Sequence, residues 1–423
     1  MLQLWFISNT LLWDMSIGSG VMRLSLGVSV LLFAGAVWIA VRGKIKARSA
    51  KALLALFGFS IFSFVVATCG VCTDHLSKAF ITLPILLFLV LVGLEVGCRS
   101  ESSDWLNLQR TSWWCLILVF FTFMIEILIP SWFPHRGSGT VGKLSGLFSE
   151  PSHVAFSLFP CVAILLIAED KRTRQRGILA IVGLLVLSRS STLVALLVAF
   201  LVYRSVVHGK IHQAAAVAAG MAVLVVLAAV VDYNQFLVPT IDRVVGVAAS
   251  SDTNNISSLV YVQGWQDAWY NLRKTHGAGL GLNMMGCSPL PDVPARGVLS
   301  LEGLGELNAQ DGSFLFSKIV SEIGLVGIVF YIAIICWWIQ LERKIRRLSA
   351  APLRFAASVQ AVLIFCFVTS SFIRGAGYFS GGLLLWVSAV SGGSNWSEEL
   401  RELPAEAFAI PKGKQQTKVE YGR

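Results

Sequence analysis

Apolar runs of bilayer length recur from one end of this chain to the other. LSLGVSVLLFAGAVWIAV (24–41) and AAAVAAGMAVLVVLAAVV (214–231) are two of them, each close to the ~20 residues that span the ~30 Å hydrocarbon layer. Only 14% of the residues are charged, against roughly 25% in a soluble domain, and the mean hydropathy is +0.72. In lipid every backbone amide and carbonyl must be paired within the chain, so a sequence of this kind is confined to helices. The expectation is an all-α, polytopic integral membrane protein.

A net charge of +10 invites a nucleic-acid reading, but the cations are distributed otherwise. They bunch between apolar runs, as RGKIKARSAK (42–51), KRTRQR (171–176) and ERKIRR (342–347), the pattern that marks cytoplasmic loops. Reading the loops this way predicts spans over 24–41, 52–71, 79–97, 111–129, 153–168, 213–231, 313–339, 353–373 and 378–391. Residues 177–203 are flanked by basic segments on both sides, which favours a hairpin of two short helices with SRSS (188–191) at its tip; a single tilted span is the alternative. The apolar start, LQLWFISNTLLW, is left open, so the count is 11 or 12 transmembrane helices. One membrane domain covers 1–391, with a second periplasmic loop at 130–152, a large periplasmic loop at 232–312 and a cytoplasmic polar tail at 392–423. In the large loop, Trp265, Ala268, Trp269 and Leu272 recur at helical spacing, predicting an amphipathic helix lying in the membrane interface.

The basic residues outside the cytoplasmic loops are Arg23, Lys78, Arg136, Lys143, Arg189, Arg243, Arg273, Lys274, Arg296, Lys318 and Arg374. With Glu150, His153, Asp311 and Glu322 they collect on the face away from the cytoplasm. A cation at bilayer depth costs at least ~2.5–3.5 kcal/mol and so faces a cavity or a partner. Arg189 and Arg374 are the clearest cases, each flanked by small residues. Cations in excess of carboxylates suit an anionic ligand, and the planar guanidinium suits phosphate. Bland readings stand beside these. Arg136, Arg243, Arg273 and Arg296 are equally ordinary loop charges. Glu150 and Pro151 equally well start a helix, and Lys318 and Glu322, at i and i+4, equally well neutralise each other. GAGLGLNMMG (277–286) follows an amphipathic helix rather than a strand, so it reads as a turning loop and not as a dinucleotide fingerprint. Cys69 and Cys72 form a lone C-x-x-C, and no carboxylate or histidine cluster has ligand spacing, so neither metal nor cofactor is expected.

Several stretches, in order, resemble the O-antigen polymerases (Wzy) and related polysaccharide polymerases. KLSGLFSEPSHVA (143–155) resembles their R-x-S-G-x-F-x-E-P-x-x-x-A signature and LVLSRSSTLVAL their intramembrane S-R segment. GWQDAWYNLRKTHGAGLGL is similar to the W-x-x-A…G-x-G-x-G part of the large loop, and SFLFSKIVSEIGLVGIVFY to the E-x-G-x-x-G start of the next helix. RGAGYFSGG is similar to a late R-x-x-G-Y segment. Together these cover roughly 130–390. Lys143 stands at the usual arginine position, Tyr261 where relatives often carry arginine, and NAQDGSFLF (308–316) lacks the histidine of the related ligases.

The resemblance implies an inner-membrane enzyme of a bacterium, working at the periplasmic face without metal or cofactor. It would transfer a glycan from undecaprenyl pyrophosphate to a sugar hydroxyl of another lipid-linked unit. Its partners would be that lipid-linked oligosaccharide, membrane lipid, a chain-length regulator and a repeat-unit flippase, and no nucleic acid. Arg189 and Arg374, supported by Lys143, Arg136, Arg273 and Arg243, would bind the pyrophosphate. Glu150, then His153, then Asp311 would take the hydroxyl proton. A glycan ligase and a non-enzymatic lipid-linked oligosaccharide transporter are the alternatives.

Overall fold

The structure, a computed structural model, describes residues 1–12, 16–17, 24–69, 76–129, 144–148, 150–208, 256–286, 290–348, 351–373, 378 and 381–392. The span expected at 213–231 and the tail beyond 392 lie outside them. The described chain is helical throughout, apart from a two-residue antiparallel ladder pairing Ser16–Ile17 with Leu24–Ser25.

Helices α1 (Leu2–Thr10), α2 (Leu26–Arg42), α3 (Ala47–Cys69), α4 (Leu76–Arg99), α5 (Ser102–Leu128), α6 (Pro151–Leu166), α7 (Lys171–Ser188) and α8 (Ser191–His208) form the first part. After the undescribed stretch come α9 (Ile256–Lys274), α10 (Pro294–Leu301), α11 (Leu315–Ile323), α12 (Leu325–Ile345), α13 (Ala351–Ile373) and α14 (Gly381–Gly392). Among the described residues, four helices are long and apolar enough to cross a membrane: α4, α5, α12 and α13. Phe33, Trp114, Leu118, Phe121, Leu179, Val202 and Val206 point outward, an apolar belt that water would penalise and hydrocarbon would not. The chain is a membrane-embedded helical bundle.

Helix α6 is its axis. From Val154 to Leu165 every residue but Phe156 is buried, as a helix apolar all round must be. Phe159 meets Phe200 of α8 edge-on at 6.0 Å and Phe365 of α13 at 6.4 Å. Contacts between helix termini sort the bundle into two ends. At one, Glu95 accepts from the Lys46 amide (2.9 Å) and from Arg99 Nε (2.7 Å), Arg354 donates to Glu169 (3.0 Å), and Tyr203 donates to Glu342. Asp170 caps α7 by accepting from the Thr173 amide at 2.8 Å, which holds its carboxyl below the ordinary value. This is the end with the basic loops. The other end carries the loop before α6, the α7–α8 junction, α9 and the start of α12.

One expectation holds, one changes and one open point closes. The segment 177–203 is two helices, as the flanking charges indicated. The predicted single span 313–339 is also two: Gly324, with φ +67° and ψ −140°, separates α11 from α12. Helix α1, left open above, rises only about 13 Å and does not cross by itself. Trp5 and Phe6 are fully buried, and the Trp5 indole donates to the Leu384 carbonyl at 3.2 Å, so α1 is a core wedge.

Candidate functional site

The mouth of α6 is held by a residue that the sequence reading passed over. Glu126, near the end of α5, is buried; its Oε2 accepts from the backbone amides of Ser145 (3.0 Å) and Gly146 (2.7 Å). Gly146 has φ +56°, and a Cβ there would stand 2.6 Å from Thr122 Oγ1, so glycine is required at this close approach. The glycine of the S-G-x-F-x-E-P stretch is thus accounted for by a carboxylate clamp on α5, to which Ser145 contributes only its backbone amide. Replacing Glu126 by Ala removes a charged acceptor shared by two amides, at a cost of about 1.5–3 kcal/mol per bond. We expect Glu126→Ala to lower the thermal midpoint in detergent and Glu126→Gln, which keeps an oxygen there, to lower it less.

Beyond the clamp, Glu150 is the N-cap residue of α6 and Pro151 its first residue, but the Glu150 side chain does not cap the backbone. It is exposed, and Oε2 accepts from the Ser152 hydroxyl at 2.9 Å. His153, one residue further along, is half-buried. A carboxylate at this position lies beside the positive end of the helix dipole.

Arg189 sits at the two-residue break between α7 and α8, with φ +48° and ψ +39°. That left-handed conformation costs an L-residue roughly 1–2 kcal/mol relative to the right-handed one, and glycine adopts it freely. The chain places a half-buried arginine there instead. The same region is tied to the α6 mouth: the Leu144 amide donates to the Leu187 carbonyl at 3.0 Å, two residues before Arg189. Glu150 and His153, at the start of α6, and Arg189, at the α7–α8 junction, thus lie at the same end of the bundle, where the Leu144–Leu187 hydrogen bond joins the two loops. Arg136, Lys143, Arg243 and Arg374 lie outside the described residues.

A second cluster is built on α11. Lys318 is buried; its Nζ donates to the Gln310 carbonyl at 2.7 Å and lies 3.6 Å from Asp311, 3.8 Å from Glu322 and 5.5 Å from the Tyr378 ring centroid. Glu322 is wholly buried and accepts from the amides of Asn283 (2.6 Å) and Met285 (3.0 Å) and from the Tyr378 hydroxyl. Its own carbonyl accepts from the Gly281 amide at 2.8 Å. Lys318 and Glu322 are thus an ion pair, and they also anchor the GAGLGL loop. Asp311 is an exposed carboxylate on the rim of this cluster.

The remaining candidates belong to α9 and α10. Arg296, read above as a loop charge or an anion ligand, is neither: it is buried, bound to Asp267 at 2.6 Å and donating to the Gly305 carbonyl at 2.6 Å. Burial pushes the Asp267 carboxyl up, and Arg296 pulls it back. Arg273 lies at the exposed end of α9, stacked 4.6 Å over Trp269. The amphipathic helix is present, with Ala268 and Leu272 buried and Trp269 exposed, while Trp265, part exposed, packs on Phe314 at 5.1 Å and Phe316 at 5.3 Å.

Among the described residues no group of histidine, cysteine and carboxylate side chains could hold a metal ion. The chain matches no family model, no curated protein and no solved structure.

Proposed function

We propose that this protein polymerises lipid-linked oligosaccharide repeat units at the periplasmic face of a bacterial inner membrane, as the ordered motif resemblance implies. The observation that carries the reading is Arg189: a half-buried cation held in a left-handed turn between α7 and α8, beside the loop that delivers Glu150. Strained backbone persists where the side chain it aims is needed. The acceptor sugar hydroxyl attacks the anomeric carbon of the donor; the bond from that carbon to the pyrophosphate oxygen breaks as the new glycosidic bond forms. Negative charge grows on the departing lipid pyrophosphate, where Arg189 supplies a pre-placed cation and Arg374, outside the described residues, is the second cation that the resemblance implies. The hydroxyl proton passes to Glu150, with His153 as its neighbour in the same turn. Lys143 and Arg136, just upstream of the clamped loop, support the phosphates.

Sidedness follows from the positive-inside rule: the end with Lys46, Arg99, Arg172, Arg346 and Arg354 faces the cytoplasm, so the Glu150–Arg189 end faces away from it. The energy for transfer lies in the donor's phosphate ester, so no nucleotide is consumed.

The test is direct. Purified protein in detergent, given its host's repeat unit on undecaprenyl pyrophosphate with no nucleotide and no metal added, is expected to yield a ladder of products differing by one repeat. Transfer only to a separate non-lipid-pyrophosphate acceptor would make it a ligase. Movement of the substrate across a vesicle membrane without any new glycosidic bond would make it a transporter.

A further inference from the structure

The outer face of α9 carries a pairing that the reaction does not use. Arg273 lies over the Trp269 ring at 4.6 Å and Lys274 over the Tyr270 ring at 5.8 Å. All four side chains are exposed, and among the described residues no carboxylate pairs with either cation. Asp267, on the same helix, is turned inward to Arg296.

The depth of this face is fixed by α12. That helix ends in Glu342, Arg343 and Lys344 at the cytoplasmic end, and its apolar run begins at Leu325, so Leu325 lies towards the opposite hydrocarbon boundary. The Leu325 amide donates to the Gly277 carbonyl at 2.9 Å, and Gly277 is three residues past Lys274, a reach of at most ~10 Å. From that point Leu325, Val326, Val329 and Ile332 run down α12 as an exposed apolar face. Ile328, on the other side, packs on Ala268, Leu272 and Val320, which locks α9 to the top of α12. The end of α9 thus sits at headgroup level, immediately above a face that acyl chains cover.

We propose that Trp269, Tyr270, Arg273 and Lys274 form a binding site for the phosphate of an anionic glycerophospholipid, whose acyl chains lie along the Leu325–Val329 face of α12. The indole and phenol rings hold the interfacial depth that amphipathic aromatics favour. The two cations, stacked on those rings, meet the lipid phosphate. Arg273 is thereby assigned to bilayer lipid and not to the glycan donor. Such a site would serve a polymerase, a ligase or a transporter alike.

The experiment is native mass spectrometry of the full chain in detergent, titrated with phosphatidylglycerol or phosphatidylcholine. Wild type is expected to retain phosphatidylglycerol over phosphatidylcholine. Each cation near a membrane surface contributes about fivefold in affinity, so Arg273→Gln/Lys274→Gln should weaken phosphatidylglycerol binding roughly thirtyfold at low salt, with phosphatidylcholine unchanged. Added salt should shrink the difference, and Arg273→Lys should keep most of the binding. Equal phosphatidylglycerol retention by the double variant would overturn the proposal. So would a double variant that keeps phosphatidylglycerol but loses the undecaprenyl-pyrophosphate-linked unit, which would return Arg273 to the donor site. Both substitutions are on exposed side chains, and an unchanged melting profile would verify folding.

Discussion

Arg189→Gly is expected to abolish the product ladder while leaving the protein as stable as wild type, or slightly more so. The backbone gives the stability part of this outcome. Glycine enters the left-handed region without the roughly 1–2 kcal/mol that Arg189 incurs at φ +48°. Against this stands the loss of whatever partners the guanidinium has in the resting protein. Removing one pre-placed group that stabilises transition-state charge typically costs 10²–10³ in rate, and a pyrophosphate leaving group draws on such a group fully. Arg189→Lys, a cation without the planar fork, should fall between the two. The measurement is the initial rate of ladder formation beside the detergent melting midpoint. A ladder from Arg189→Gly at the wild-type rate would sink the assignment of the cation. Joint collapse of rate and stability would make Arg189 a structural residue.

What the sequence disclosed and what it hid divide along physical lines. Apolar length and flanking charge are local, so the helices from α2 to α8 fall near the predicted spans, and the hairpin at 188–191 was legible because KRTRQR and RSVVHGKIH cannot lie on opposite sides of one crossing. The break at Gly324 was not legible. Residues 313–339 read as one apolar run, and only the Gly277 and Gly281 contacts arriving from forty residues upstream show why the chain must turn there. Buried polar partners were missed for the same reason. Glu126 reads as a stray acid at the end of an apolar helix until Ser145 and Gly146 fold back onto it, and Asp267 and Arg296 are 29 positions apart. The mouth motif itself was visible, but half of it proves to be architecture: the Ser145 and Gly146 amides satisfy a clamp, which leaves Glu150 and its neighbours as the candidates for chemistry. Trp265, Ala268, Trp269 and Leu272 were read as one face, but the structure splits them: Ala268 and Leu272 are buried, Trp269 is exposed and Trp265 packs on Phe314 and Phe316.

The Glu322 carboxylate provides the largest expected loss of stability. It accepts from two backbone amides and a tyrosine hydroxyl and neutralises a buried lysine, all in a site closed to water. Glu322→Ala leaves Lys318, among the described residues, with only the exposed Asp311 as counter-charge, and strands the Asn283 and Met285 amides together with the Tyr378 hydroxyl. Breaking a buried pair from one side costs about 3–5 kcal/mol, and each unmet buried donor adds ~1–3 kcal/mol, which together rival the whole stability of many domains. Glu322→Ala is therefore expected to yield little or no monodisperse protein on size exclusion in detergent. Glu322→Gln, which keeps an acceptor oxygen for part of the network but not the charge, should be recoverable with a lowered melting midpoint. Gly279→Ala should resemble Glu322→Ala, because its Cβ would lie 2.4 Å from the Glu322 carbonyl oxygen at a φ of +84°. Two routes to the same collapse, one electrostatic and one steric, would establish that the G-x-G-x-G loop and the E-x-G-x-x-G helix start are the two halves of one joint. The discriminating result is the specific activity of recovered Glu322→Gln below its melting point. Near-wild-type turnover keeps Glu322 as the pin that sets α9 against α12, whereas a stable but inactive Glu322→Gln would move the proton acceptor from Glu150 to this buried carboxylate.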